Sequence, residues 1–419
     1  MTGGGGTVGR RPLVGLLAAV AVSLTGSGIA ALALPWFVLE TTGSATRMGV
    51  AAFCEAAPYV LVKALSGPFL DRLGPRRISW ATDLVSASAA ASIALLHTAD
   101  RLSYGVLLAL LVVVGAARGP GDTAKEVMVP EAARLCRVPL ERATGLLGAV
   151  ERLSGMAGPL AGGALVVSLG AMTALAVNAA AFLLGSLIVA LSLPRGMGGP
   201  PPAPPGREEG YLRQLREAPA LLRTDRLLLT MLVMLAATNL LDAASGVLMP
   251  VWARESGRGA AVLGVVAGVW SAAAVAGSLV AAATAHRLPR RTVFFAGFLL
   301  ATPPKMLVLA LDPPIGVLLA VIAAGGFAIG FVNPVIGAIV FERIPAPLLG
   351  RAQALGSALS FAGIPLGVLL GGAGAGTLGL VPMLLTVAAL YVTTVAVSGL
   401  RPQWRELNRP PQPEVTEAA

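Results

Sequence analysis

Residues 141–163 read ERATGLLGAVERLSGMAGPLAGG, and residues 350–372 read GRAQALGSALSFAGIPLGVLLGG. Laid over one another without a gap, at an offset of 209, they pair Arg142 with Arg351, Gly158 with Gly367, and Gly162 and Gly163 with Gly371 and Gly372. A second gapless match, at an offset of 215, joins LPWFVLETTGSATRMGV (34–50) to MPVWARESGRGAAVLGV (249–265) and pairs Pro35 with Pro250, Glu40 with Glu255 and Gly49 with Gly264. Either match alone is weak in an Ala- and Gly-rich chain. Two at similar offsets make the chain a duplication. The copies part company at Glu151 and Arg152, which align with Ser360 and Phe361. The helical scaffold therefore does not demand those two charges.

The surroundings of the duplicated stretches decide the solvent. The chain has 419 residues, 56% of them hydrophobic and only 12% charged, with a mean hydropathy of +0.80. That is too apolar for a soluble globular protein and marks an integral membrane protein. Twelve apolar runs are long enough to cross about 30 Å of hydrocarbon: 13–39, 48–70, 77–98, 103–126, 143–167, 171–193, 226–251, 260–285, 292–311, 315–340, 351–375 and 377–399. The first is about twice the usual length of a secretory leader's apolar core and lacks a clear small-residue cleavage site, so it is expected to remain. Cys54 and Cys136 lie 82 positions apart and the only histidines are His97 and His286, so neither a disulfide framework nor a metal site is encoded.

Four segments are expected: an N-terminal six-helix bundle (1–193), a Pro/Gly-rich cytoplasmic linker that becomes basic and amphipathic (194–225), a C-terminal six-helix bundle (226–400) and a mobile cytoplasmic tail (401–419). With the N-terminus inside, 22 of the 28 arginines fall in cytoplasmic segments and four (Arg47, Arg101, Arg254, Arg258) outside, which places both termini in the cytoplasm. The net charge of +10 then reflects topology and gives no reason to invoke nucleic acid.

The loop after the second run, GPFLDRLGPRR from Gly67 to Arg77, resembles the G-x-L-x-D-R-x-G-R-R/K signature of the major facilitator superfamily. Its expected second copy is the degenerate AHRLPRR, where His286 replaces the acid. Gly158, Pro159, Gly162 and Gly163 resemble the G-P-x-x-G-G motif of drug antiporters. Together with LPWFVLETTGSA and ARGPGDTAKEVMVPE, they resemble the bacterial branch that includes macrolide and siderophore exporters. The resemblance implies an all-α integral membrane fold, twelve transmembrane helices in two pseudo-symmetric six-helix bundles. It also implies a conformational latch at Gly67, Asp71, Arg72, Gly74, Arg76 and Arg77. Physically, the arginines hold this loop at the anionic leaflet, while Asp71 can accept from a helix N-terminus or an arginine. The alternative is a solvated topogenic turn.

Charges at bilayer depth cost several kcal/mol unless paired or wetted. Eleven fall inside the runs, and nine belong to the first half: Glu55, Lys63, Asp83, Arg118, Asp122, Lys125, Glu126, Glu151 and Arg152, against Asp242 and Lys305 in the second. Arg118, Asp122 and Lys125, at i, i+4 and i+7, are expected to form a mutually compensating stripe. Lys125 and Glu126 lie near the cytoplasmic end, where snorkelling is the competing reading. Glu151 sits near the midplane and is the first choice for exchanging a proton. Arg152 is expected to pair with Asp122 or Asp83, and a purely structural ion pair is the alternative. All three lysines lie inside the runs, and lysine, unlike arginine, can lose its proton when buried. Asn239 and Asp242, with Asn333, Lys305 and Lys125, are cavity candidates; Lys305 is the weakest, because the ninth helix is peripheral in the resembled fold.

Without a Gly-rich phosphate loop, nucleophile–base set or metal cluster, neither an enzyme nor an ATPase is expected, and no cofactor. The expectation is a monomeric secondary transporter in the lipid bilayer, with a small amphipathic or drug-like molecule and protons as its partners, working by export and proton antiport. An importer of a polar metabolite would need more hydrogen-bonding groups, and a scaffold would not need midplane charges. Substrate charge turns on Lys63 and Arg118: unneutralised they would receive an anion, whereas neutralised by Glu55 or Asp122 they would leave a cavity for neutral or cationic lipophiles.

Overall fold

A computed structural model describes residues 10–194, 196–199, 225–284, 288–344 and 356–408, although the side chain of Asp71 is outside the description. Most of the 194–225 linker, His286 and the tail beyond 408 also lie outside the described residues. Among those described there are helices and turns but no strand. Twelve helices are long and apolar enough to cross a membrane: α1 (Arg11–Thr42), α2 (Ala45–Leu65), α3 (Pro75–Thr98), α4 (Tyr104–Leu135), α5 (Arg142–Leu169), α6 (Ala171–Ser192), α7 (Arg226–Glu255), α8 (Ala261–Ala281), α9 (Arg290–Leu311), α10 (Ile315–Val340), α11 (Gly356–Leu378) and α12 (Leu380–Gly399). They match the twelve apolar runs one for one.

Local chemistry sets the boundaries. α1 stops at Gly43, whose φ of 66° lets its N–H turn back to the Leu39 carbonyl. The Ser44 hydroxyl accepts from Arg47 N–H and starts α2, and the Ser103 hydroxyl does the same for α4 through Val106 N–H. Pro303 and Pro304 bring no N–H, so α9 breaks at Thr302 into Arg290–Ala301 and Pro303–Leu311. A short helix, Gly67–Leu73, fills the loop between α2 and α3 and ends at Gly74.

Lipid tails are as apolar as leucine, so small residues rather than greasy ones bring these helices together. α1 packs on α5 and α6, α2 on α4 and α11, and α3 on α4 and α6. Two compact units result. One gathers α1–α6 with Ala243–Ser271 and Ile364–Met383; the other holds the first half of α7, Ala272–Gly363 where described, and the chain from Leu384. α7 contributes its two ends to different units.

Candidate functional site

The site begins with two glycines. A Cβ on Gly119 would lie 2.7 Å from the Tyr59 carbonyl oxygen, and one on Gly115 would overlap the Glu55 carbonyl, so only glycine lets α4 lie this close to α2. At that separation three side chains of α2, at i, i+4 and i+8, meet three of α4 at the same spacing. Arg118 Nη1 donates to Glu55 Oε1 at 2.9 Å, Tyr59 donates to Asp122 Oδ2 at 3.3 Å, and Lys63 Nζ donates to Glu126 Oε1 at 3.3 Å. Every rung joins residues 63 positions apart. Arg118 also approaches Asp122 at 4.0 Å and lies over the Tyr59 ring, 4.9 Å from its centroid, while Lys63 is 5.7 Å from the same centroid. Arg118 and Lys63 thus both face carboxylates, the arrangement expected to leave a cavity for neutral or cationic lipophiles.

Lys125 leaves the expected stripe. Adjacent helical residues point about 100° apart, so when Glu126 turns to α2, Lys125 turns to α1 and α3. Its ammonium lies 2.8 Å from Asp83 Oδ2 and donates to Asp83 Oδ1 at 2.9 Å and Ser23 Oγ at 3.0 Å, with both charged side chains only 3% exposed. Lys125 does not snorkel, and as a sealed pair it lines no open cavity. Arg152 also departs from expectation. Asp83 and Asp122 are already engaged, and Glu151 and Arg152 are exposed, with no hydrogen bond or ion pair to either among the described residues.

The glycines of the G-P-x-x-G-G stretch are contact points. Gly158 meets Gly28, Gly162 meets the Ile29 carbonyl, and Gly163 meets Gly264 of α8, where a Cβ would lie 2.9 Å from the Gly264 Cα. The second copy repeats this crosswise: Gly371 meets Ala244 of α7, and Gly372 meets Gly49 of α2, where a Cβ would lie 2.6 Å from the Gly49 Cα. Ile29 and Ala244, like Gly49 and Gly264, stand 215 positions apart, the offset found by aligning the sequence. At the same end, Arg254 Nη1 donates to the Leu39 carbonyl at 2.7 Å.

Of the proposed latch, Gly74 with φ 80° separates the short helix from α3, Arg76 donates to the Ala190 carbonyl at 3.0 Å, and Arg72 and Arg77 are exposed. In the second compact unit, Asp242 accepts from Thr302 Oγ1 at 2.5 Å and from the Tyr391 hydroxyl at 3.5 Å, and interacts electrostatically with Lys305. The break in α9 is what frees Thr302 to face α7. Asn239 donates to the Ser360 carbonyl at 3.0 Å, and Asn333 is exposed, with no hydrogen bond to this group among the described residues. Sequence reading missed Ser23, Tyr59, Thr302 and Tyr391. Only Tyr59 carried a signal: it stands midway between Glu55 and Lys63 on one helical face.

The chain resembles the Multidrug efflux pump Tap of Mycobacterium tuberculosis (strain ATCC 25618 / H37Rv), with 29% identity over 97% of both chains. It is 30% identical to Multidrug efflux pump Tap of Mycolicibacterium fortuitum, over 96% of this chain and 99% of that one. Among solved structures, nucleoside transporter NupG (D323A mutant) superposes with a TM-score of 0.75 at 12% identity, covering 93% of this chain and 100% of that one. A bacterial homologue of the human lysosomal transporter Spinster, inward-facing and unoccupied, gives 0.72 at 15% identity over 98% and 100%. At such identities the likeness speaks for the fold alone. The family profile matches residues 16–257 and 227–418, and together with the fold it makes the chain a member of the Major Facilitator Superfamily.

Proposed function

We propose that the protein is an exporter of neutral or cationic drug-like amphiphiles, driven by proton antiport, embedded in the cell membrane as two six-helix repeats (1–193 and 226–400) with both termini cytoplasmic. The observation that carries the chemistry is the α2–α4 ladder. Its two cations are spent on Glu55, Asp122 and Glu126, so with all groups ionised three carboxylates face two cations across these helices. An excess negative charge in a low-dielectric wall favours a cation or a proton and disfavours an anion. The similarity to Tap efflux pumps over nearly the whole chain supports the direction of transport and the substrate class.

In this reading Glu151 is the proton carrier: it is exposed and hydrogen-bonded to nothing among the described residues, so its carboxyl can exchange a proton without first breaking a pair. Asp83 is poorly suited to that work because Lys125 and Ser23 hold it in a sealed site. Protonation of Glu151 and binding of a cationic substrate would exclude one another, so that uptake of a proton releases the substrate, which is the requirement for exchange. The direct test is transport into inverted vesicles of lipophilic cations, neutral macrolides and organic anions under an imposed proton gradient. Cations and neutral compounds are expected to accumulate and to dissipate the gradient. Gradient-driven movement of anions alone would overturn the proposal.

A further inference from the structure

A second feature is built into the region of the GPFLDRLGPRR loop and serves neither the ladder nor the glycine contacts. α3 and α6 cross where Arg76 donates to the Ala190 carbonyl and Ser186 Oγ donates to the Trp80 carbonyl at 2.9 Å. Beside that crossing lies a groove of about 480 Å³ bordered by Leu73, Arg76, Arg77, Trp80, Ala81 and Ala190. Among the described residues its lining contains two guanidinium groups and no acid. Arg77 is exposed and takes part in no hydrogen bond or ion pair among the described residues, and Arg76 Nε is buried without an acceptor. Arg11, which donates to the Leu191 carbonyl at 3.1 Å, brings a third guanidinium to the same end of α6.

The exposed flank that continues from the groove along both helices is apolar. Trp80 and Leu84 on α3, and Leu183, Leu187 and Leu191 on α6, all expose more than a third of their surface. Both rows follow a spacing of four residues, so each runs down one side of its helix. A tryptophan one turn below an arginine, at the boundary of a membrane-crossing helix, is placed for the headgroup level.

We propose that this groove is a specific site for one anionic phospholipid. The phosphate is held by Arg77, with the Arg76 guanidinium beside it, the glycerol region lies against Trp80, and one acyl chain runs along Leu84, Leu187 and Leu183. The charge selects the headgroup and the leucine rows select a lipid over a free anion. A juxtamembrane arginine contributes about fivefold to affinity for an anionic surface.

The experiment uses the full-length protein released from mixed micelles of phosphatidylcholine and phosphatidylglycerol, with bound lipids counted by native mass spectrometry. The wild type is expected to retain one phosphatidylglycerol that Arg77→Gln and Trp80→Ala lose, with occupancy falling about fivefold for the first. Arg77→Lys should restore part of it. Arg142→Gln, which removes an exposed arginine at the start of α5, should leave it unchanged, and excess inorganic phosphate should not displace it. Equal retention by Arg77→Gln and wild type would overturn the proposal. Equal loss in Arg142→Gln would reduce it to diffuse charge, and displacement by phosphate would make it a free-anion site; either result also overturns it.

Discussion

The two repeats share their glycines and differ in their charges. Gly163 against Gly264 and Gly372 against Gly49 are the same contact made twice, by residues that the duplication itself pairs. The first repeat adds a six-residue ladder between α2 and α4, and a sealed lysine–aspartate pair beside it. In the second, one carboxylate receives two hydroxyl donors at the break in α9. Shape was retained while polarity diverged, so the contacts that let helices approach belong to the scaffold, whereas the ladder marks what one half does and the other does not.

The sharpest way to break this comparison is at Asp83. Asp83→Ala leaves Lys125 buried and unpaired, which costs about 3–5 kcal/mol when one partner of a buried pair is removed. The thermal midpoint of the purified protein should drop steeply, and a second change, Lys125→Met, should recover most of it. A stable single variant would show that the pair is not what holds α1, α3 and α4 together.

Glu151→Gln comes next. Gradient-driven export should fall at least tenfold, on the order of a full loss of one coupling proton, while the thermal midpoint stays put because no bond is broken. If proton-driven transport survives intact, Asp122 becomes the carboxyl to test.

A smaller effect is expected for Lys63→Met, which keeps length but frees Glu126. The pair is partly exposed, so its stability value is about 0–1 kcal/mol. Cation export should hold or rise within severalfold, and organic anions should remain poor substrates. A selective loss of anion transport would reinstate Lys63 as an anion receiver.

The smallest change in export belongs to the second repeat. Asp242→Asn keeps an acceptor for Thr302 but removes the negative charge facing Lys305, so the thermal midpoint should fall by more than the worth of one hydrogen bond, roughly 1 kcal/mol, with export nearly unchanged. Should export stop, the asymmetry between the repeats would fail, because the second half would then carry coupling of its own.

How far the sequence could be read follows from range. The twelve spans were legible because hydropathy acts over some twenty residues, and the glycine contacts because duplication printed them twice. Residues at i+7 and i+8 on α4 were not separable in this way. Lys125 and Glu126 differ only by a rotation of about 100°, and which neighbour each meets depends on where α1, α2 and α3 stand. Tyr59 was legible in principle from its place between Glu55 and Lys63. Thr302 and Tyr391 were not, since only the break at Pro303 and the docking of α12 bring them to Asp242. Arg152 misled because it was assigned partners that better-placed groups already hold.

Arg254 and Leu39 stand at equivalent places in the two repeats, 215 positions apart, and yet they touch each other. A residue that meets its own counterpart lies on the axis of the duplication, where a change is felt once instead of twice. Leucine has no donor to return, so the bond exists in a single copy and closes the end of α1 from one side. A charge-assisted hydrogen bond contributes about 1.5–3 kcal/mol, which is roughly a ten- to hundredfold bias between the joined and parted forms of that end. One codon at position 254 therefore decides whether that end of α1 has this bond at all, leaving every carboxylate and every glycine where it is.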